Sequence, residues 1–234
     1  MLKDKMWYLI FLWQIACCLG TCKLLRVTKQ QLTYYFPSIT NETENRQKYI
    51  VKNVTKSILL LFLTPPGLWV LNRIVFYNTW DSDMIKCLGS LYCCSDLIAL
   101  ATMYDKLPPT TKIHHICVAI FSFLNTFVID YENPDYIWRN TAMLAACSAP
   151  TYGVNTFLGV RCIKDVSNKE KVRLAKFALG VYSFFITLSF TWQCYTLLAY
   201  PVYYTWSSLP YVVAMTLIYW DDYHLSRYLF EYKP

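Results

Sequence analysis

Residues 84–104 read MIKCLGSLYCCSDLIALATMY, and one residue in this stretch governs how the rest of the chain must be arranged. The run is long and apolar enough to cross a bilayer, because ~20 such residues at 1.5 Å of helix rise each cover the ~30 Å hydrocarbon layer. Asp96 nevertheless stands inside it, roughly 12 Å of helix from the nearer end. A carboxylate at that depth costs ~2.5–3.5 kcal/mol even on the gentler insertion scales. It must therefore face a bundle interior or a wet cavity, which requires further helices around it.

Those helices are legible on both sides. Apolar segments recur at 6–22, 54–76, 113–129, 136–160, 172–199 and 202–220. Hydrophobic residues make up 56% of the 234-residue chain and charged residues only 16%, against ~25% charged in ordinary soluble domains. No water-soluble core of this size hides so many long apolar runs. The reading is an all-α fold, a polytopic transmembrane helix bundle with six or seven spans. Tyr and Trp gather near segment ends, as residues with one wet edge do at headgroups. The first segment also has features of a signal peptide, since Lys3 and Lys5 precede it and Ala16 and Gly20 supply small residues. Cys17, Cys18 and bulky Leu19 fill the would-be cleavage zone and favour a retained span. The chain is accordingly divided into 1–50, a first helix (a possible signal anchor) with a basic loop, and 51–234, the main bundle. In the second span, Pro65-Pro66-Gly67 predicts a kink or split.

Charge sets an orientation. The connections 23–53, 105–112 and 161–171 are basic, whereas 77–83 and 130–135 carry acids and no Lys or Arg. The positive-inside rule places the basic set in the cytosol, with the N-terminus outside and the C-terminus inside for seven spans. The formal charge of +7 thus reads as contact with anionic headgroups rather than with nucleic acid. Asn41 and Asn53 each begin an acceptor triplet for glycosylation but lie in a basic connection, so both read as chance matches. The ten cysteines form no CxxC pair and read as small packing residues. No metal is expected, because two histidines and one aspartate fall short of a ligand set.

Polar residues inside the bundle mark the candidate site. His114 and His115 open the fourth span, which a short connection makes the neighbour of the third. An imidazole held against Asp96 can carry a proton near neutral pH. Adjacent helical residues diverge by ~100°, so at most one histidine meets a given centre. Asn125, Ser148 and Asn155 are further cavity candidates, the last two sharing a helical face. Trp220 reads as an interface anchor and His224 as a surface residue.

Tyr92, Ser95 and Asp96, followed at short range by His114-His115, resemble the signature of the TRAM–LAG1–CLN8 homology domain family, the membrane proteins that include ceramide synthases. Ser148-Ala149-Pro150, Asn155, Arg161 and Trp220 carry a weaker resemblance, which extends over roughly 50–230. The acidic residue expected before Ser148 is replaced by Ala146-Cys147, and the aspartate-rich cluster of the synthases is missing. The small members of the family are the nearer likeness. The resemblance implies a protein that binds or handles membrane lipids and contributes to lipid composition or sensing. One alternative is an N-acyltransferase with acyl-CoA as co-substrate, His114, His115 and Asp96 as catalytic groups, and Lys106, Lys112, Arg161 and Lys164 meeting the donor phosphates. Another is a non-catalytic subunit among other membrane protein chains. The endoplasmic reticulum is the expected membrane, with the mitochondrial inner membrane as the alternative.

Overall fold

The computed structural model describes residues 3–233. Among them every regular element is helical: α1 (Lys3–Tyr35), α2 (Glu44–Tyr77), α3 (Ser82–Met103), α4 (Pro109–Phe127), α5 (Thr141–Ser148), α6 (Tyr152–Val160), α7 (Asn168–Ala199) and α8 (Leu209–Glu231). A 3-10 turn at Ala149–Thr151 joins α5 to α6, so these two act as halves of one broken rod. Seven rods result. Four of the helices, α1, α2, α3 and α7, are long and apolar enough to cross a membrane. The protein is integral and multi-pass on this evidence, while α4, the α5–α6 rod and α8 are shorter or more polar.

The elements begin and end for local reasons. Asp81 caps α3, its carboxylate accepting the Met84 N–H at 3.0 Å. Ser167 and Glu170 form a reciprocal capping box at the start of α7. Pro109 opens α4 at a position where its missing N–H costs nothing. Asn78 ends α2 in a left-handed conformation with φ 47°, which Asn tolerates better than most residues. Pro150 removes one helical donor and coincides with the break between α5 and α6.

Three expectations are corrected. The basic connection 23–53 is mostly helix: α1 continues to Tyr35 and α2 starts at Glu44, leaving 36–43 between them. The double proline does not split α2, which is helical through Pro65 and Pro66. Thr64 Oγ1 there donates to Leu60 O at 2.8 Å and reaches Ala149 O at 3.1 Å, tying the proline turn to the neighbouring rod. Close approach at this point uses Gly67, where an added Cβ would lie 3.2 Å from Ala149 Cβ. The last rod begins at Leu209 rather than 202, after two short 3-10 turns. α1 packs along α2 and α3.

The outer surface carries many large apolar side chains, and several polar ones are enclosed with the apolar core. Phe62, Phe76, Phe184 and Leu198 are exposed on the outer surface, whereas Asp96, Ser90, Asn140 and Thr126 are buried. Polar pins hold the rods together. Asn125 Nδ2 donates to Lys86 O at 3.1 Å and its Oδ1 accepts the Tyr131 hydroxyl at 2.8 Å. At the basic end Lys164 pairs with Glu42 at 2.9 Å. The backbone N–H of Ser38 also donates to Asp165 at 3.3 Å, so two basic connections meet at one end of the bundle.

Candidate functional site

The site is built at one level of the bundle. Counted from the basic ends of their helices, Lys52 and Lys56 on α2, Asp96 on α3, His114 and His115 on α4 and Asp222 on α8 all lie roughly 8–18 Å deep. α2 packs on α1, α3, α5 and α6, while α8 packs on α4 and α7, so the two form separate walls. Between them opens a cleft of ≈ 470 Å³, part of it continuous with the exterior.

Asp96 is fully enclosed, with 0% of its side chain exposed. Its first partner is a lysine. Lys56 Nζ donates to both carboxylate oxygens, at 2.6 and 2.9 Å. His115 is the second partner, with Nδ1 2.9 Å from Asp96 Oδ1. The ring N–H is poorly aligned with that oxygen, so the contact is electrostatic more than directional. On the other edge of the ring, Lys52 Nζ lies 3.3 Å from His115 Nε2. An ammonium has only protons to offer, so Nε2 carries the lone pair and the proton sits on Nδ1 toward Asp96. The order is therefore Lys56, Asp96, His115, Lys52.

His114 turns away from this row. Its Nδ1 lies 3.3 Å from Asp221 Oδ2 on α8, and its ring stands at 87° to that of His115. The geometry follows from ~100° per residue on the helix. Asp222, next to Asp221, is buried and accepts the Tyr182 hydroxyl at 2.6 Å. Asp221, Asp222, His114, His115, Lys52 and Lys56 all line the cleft, whereas Asp96 stands behind Lys56 and His115. Asp96 is thus placed to orient the groups that face the cleft rather than to touch its contents.

Beside the cleft, inside the bundle, lies a mainly apolar chamber of ≈ 80 Å³ lined by residues such as Leu63, Val70, Val118, Phe121 and Ala145. Tyr92, His114, Ser148 and Asp222 border both spaces and stand between them. At the outer end of the cleft, Arg161 donates to the hydroxyls of Tyr49, at 3.0 Å, and Tyr228. Among the other expected residues, Asn155 and Lys106 line the cleft. Lys112 instead covers the Tyr104 ring at 4.6 Å. Lys164 is committed to Glu42 and does not line the cleft. Asn125 belongs to the α3–α4 pin described above. His224 is exposed at the cleft rim. All ten cysteines are free thiols, and among the described residues no group of His, Cys, Asp and Glu is arranged to hold a metal.

Sequence reasoning missed the two lysines and gave the Asp221-Asp222 pair no role. A signal was present. Lys56 is one of two cations inside the apolar span 54–76, the other being Arg73, and is subject to the same argument as Asp96; Lys52 lies one turn before it on the same face. Fold and site together define the class: an integral membrane protein, helical throughout its described residues, with a polar cleft beside a mainly apolar chamber inside the bundle. Comparison with protein families, curated proteins and solved structures finds no match.

Proposed function

We propose that the protein is a seven-span lipid-handling protein of the TRAM–LAG1–CLN8 type. It holds one amphiphile with the polar head in the cleft and the chain in the apolar chamber. The observation that carries this reading is the succession of the two spaces. A charged cleft and a mainly apolar chamber adjoin across Tyr92, His114, Ser148 and Asp222. The chamber's lining is mainly apolar, so a hydrocarbon chain loses little by leaving lipid for it. Handling in this sense means binding and presenting a lipid within the bilayer, with consequences for membrane composition or sensing.

The experiment is lipid retention. Protein purified in a neutral detergent is expected to carry near-stoichiometric lipid, identified after extraction by mass spectrometry. Ala145→Phe, which places a ring in the chamber, is expected to lower retention severalfold at an unchanged melting temperature. Equal retention by the two proteins refutes the reading. Phe184→Ala, on the exposed outer surface, controls for loosely associated lipid.

A second reading, acyl transfer from a long-chain thioester to a lipid acceptor, is favoured by one detail. His115 has a carboxylate at Nδ1 and turns Nε2 toward Lys52 at the cleft wall, the arrangement of a base oriented by an acid. Thioester consumption by the wild type that His115→Ala abolishes supports it. Consumption that survives the substitution excludes His115 as the base.

A further inference from the structure

Two cations face the cleft without a carboxylate of their own. Lys52 is half-buried, and its one close polar contact is the neutral edge of His115 at 3.3 Å. Both oxygens of the nearest carboxylate, Asp96, are already taken by Lys56. Arg161 is also half-buried; its contacts are the hydroxyls of Tyr49 and Tyr228, and its Nε is buried with no hydrogen-bond partner. Among the described residues neither Lys52 nor Arg161 lies within ion-pair distance of an acid. Charges partly withdrawn from water are costly unless paired, so this wall is complementary to an anion. Tyr49 and Lys52 occupy successive turns of one face of α2, which places Arg161, bound to Tyr49, and Lys52 along the same wall.

We infer that this wall is an oxyanion subsite. Resting on the lipid-handling reading, the inference is that the ligand head carries a phosphate or carboxylate bridging Lys52 and Arg161, and that its arrival draws Lys52 off His115. The anion accepts from the Lys52 ammonium and from the Arg161 guanidinium. An ammonium held by a full negative charge gives up its weaker bond to a neutral imidazole. His115 Nε2 is then left with its lone pair open to the cleft, while Asp96 continues to hold the opposite edge and Lys56 continues to balance Asp96. Lys52 is in this scheme a positioning residue. It keeps the imidazole closed in the empty protein and opens it only when an anionic head is seated.

The test uses the full chain in a neutral, phosphate-free detergent with 15N-labelled histidine. The three histidine side chains are assigned by substituting His114 and His224. Short-chain phosphatidate, inorganic phosphate and dodecanoate are titrated in turn, with diacylglycerol of matched chains as the uncharged control. Phosphatidate is expected to shift the His115 Nε2 resonance, whereas diacylglycerol binds without shifting it. Lys52→Gln is expected to start with the resonance near its ligand-bound position and to bind phosphatidate roughly tenfold or more weakly; Lys52→Arg is expected to recover most of the affinity. A shift of similar size by inorganic phosphate assigns the anion to a free source rather than a lipid headgroup and retains the subsite, whereas a shift by dodecanoate alone makes the head a carboxylate. Equal affinity for phosphatidate and diacylglycerol, or a His115 resonance unmoved at saturation, overturns the inference while leaving chain binding in the chamber intact. No binding of either lipid overturns the underlying reading instead.

Discussion

Removing the carboxylate of Asp96 isolates the central electrostatic argument. The side chain has no access to solvent and is gripped through both oxygens by Lys56 at 2.6 and 2.9 Å, with His115 as a further contact at 2.9 Å. Breaking such a pair from one side leaves an uncompensated buried charge, which costs about 3–5 kcal/mol. Asp96→Asn and Lys56→Met are each expected to lose an amount of this order. The double variant Asp96→Asn/Lys56→Met leaves no unpaired charge and is expected to recover about 2 kcal/mol or more relative to the summed singles. Thermal unfolding in detergent, followed by tryptophan fluorescence, measures the cycle. A midpoint drop on the order of 10 °C for each single variant corresponds to the lower part of that range. Singles within about 0.5 kcal/mol of the wild type, or singles that add without coupling, refute the claim that a lysine is the principal partner of the buried acid.

Three other outcomes are expected. Gly159→Ala puts a Cβ 2.8 Å from Val54 Cγ2 and 3.2 Å from Ile50 O; because the backbone oxygen cannot step aside, α2 and α6 are forced apart at a cost of about 1–3 kcal/mol, read as a lower melting temperature. Cys18 and Cys94 bring their sulfurs within 3.3 Å across the α1–α3 contact, so a membrane-permeant thiol oxidant is expected to join them, with the cross-linked peptide seen by mass spectrometry; recovery of both as free thiols after exhaustive treatment counts against that helix pairing. The Glu42 carboxyl, outside the spans, is held below the usual carboxylate range first by Lys164 and then by Arg46. A depressed value means that its contribution is complete above the ordinary range near pH 4.3 and is lost as pH falls through the depressed value; Glu42→Gln is expected to flatten the acid limb of the stability–pH curve, and an unchanged limb rules that ion pair out as its source.

Much of the arrangement is written in the order of residues. Length and apolarity locate the long rods, because a bilayer demands ~20 apolar residues wherever a helix crosses it. Asp96 announces a polar interior by its cost alone, and the short step to His114-His115 places the imidazoles beside it. What local sequence does not encode is which distant side chain comes first to the acid. Lys56 precedes Asp96 by 40 positions and lies on another helix, so only the packing of α2 against α3 makes it the principal partner. The same holds for the separation of the two histidines, one toward Asp96 and the other toward Asp221 on the last helix. It holds equally for the cleft, which exists because α2 and α8 stand on opposite walls. A membrane-spanning sequence specifies its rods through the solvent around them. The assignment of charges inside the bundle depends on long-range distances, and those are fixed only when the helices pack.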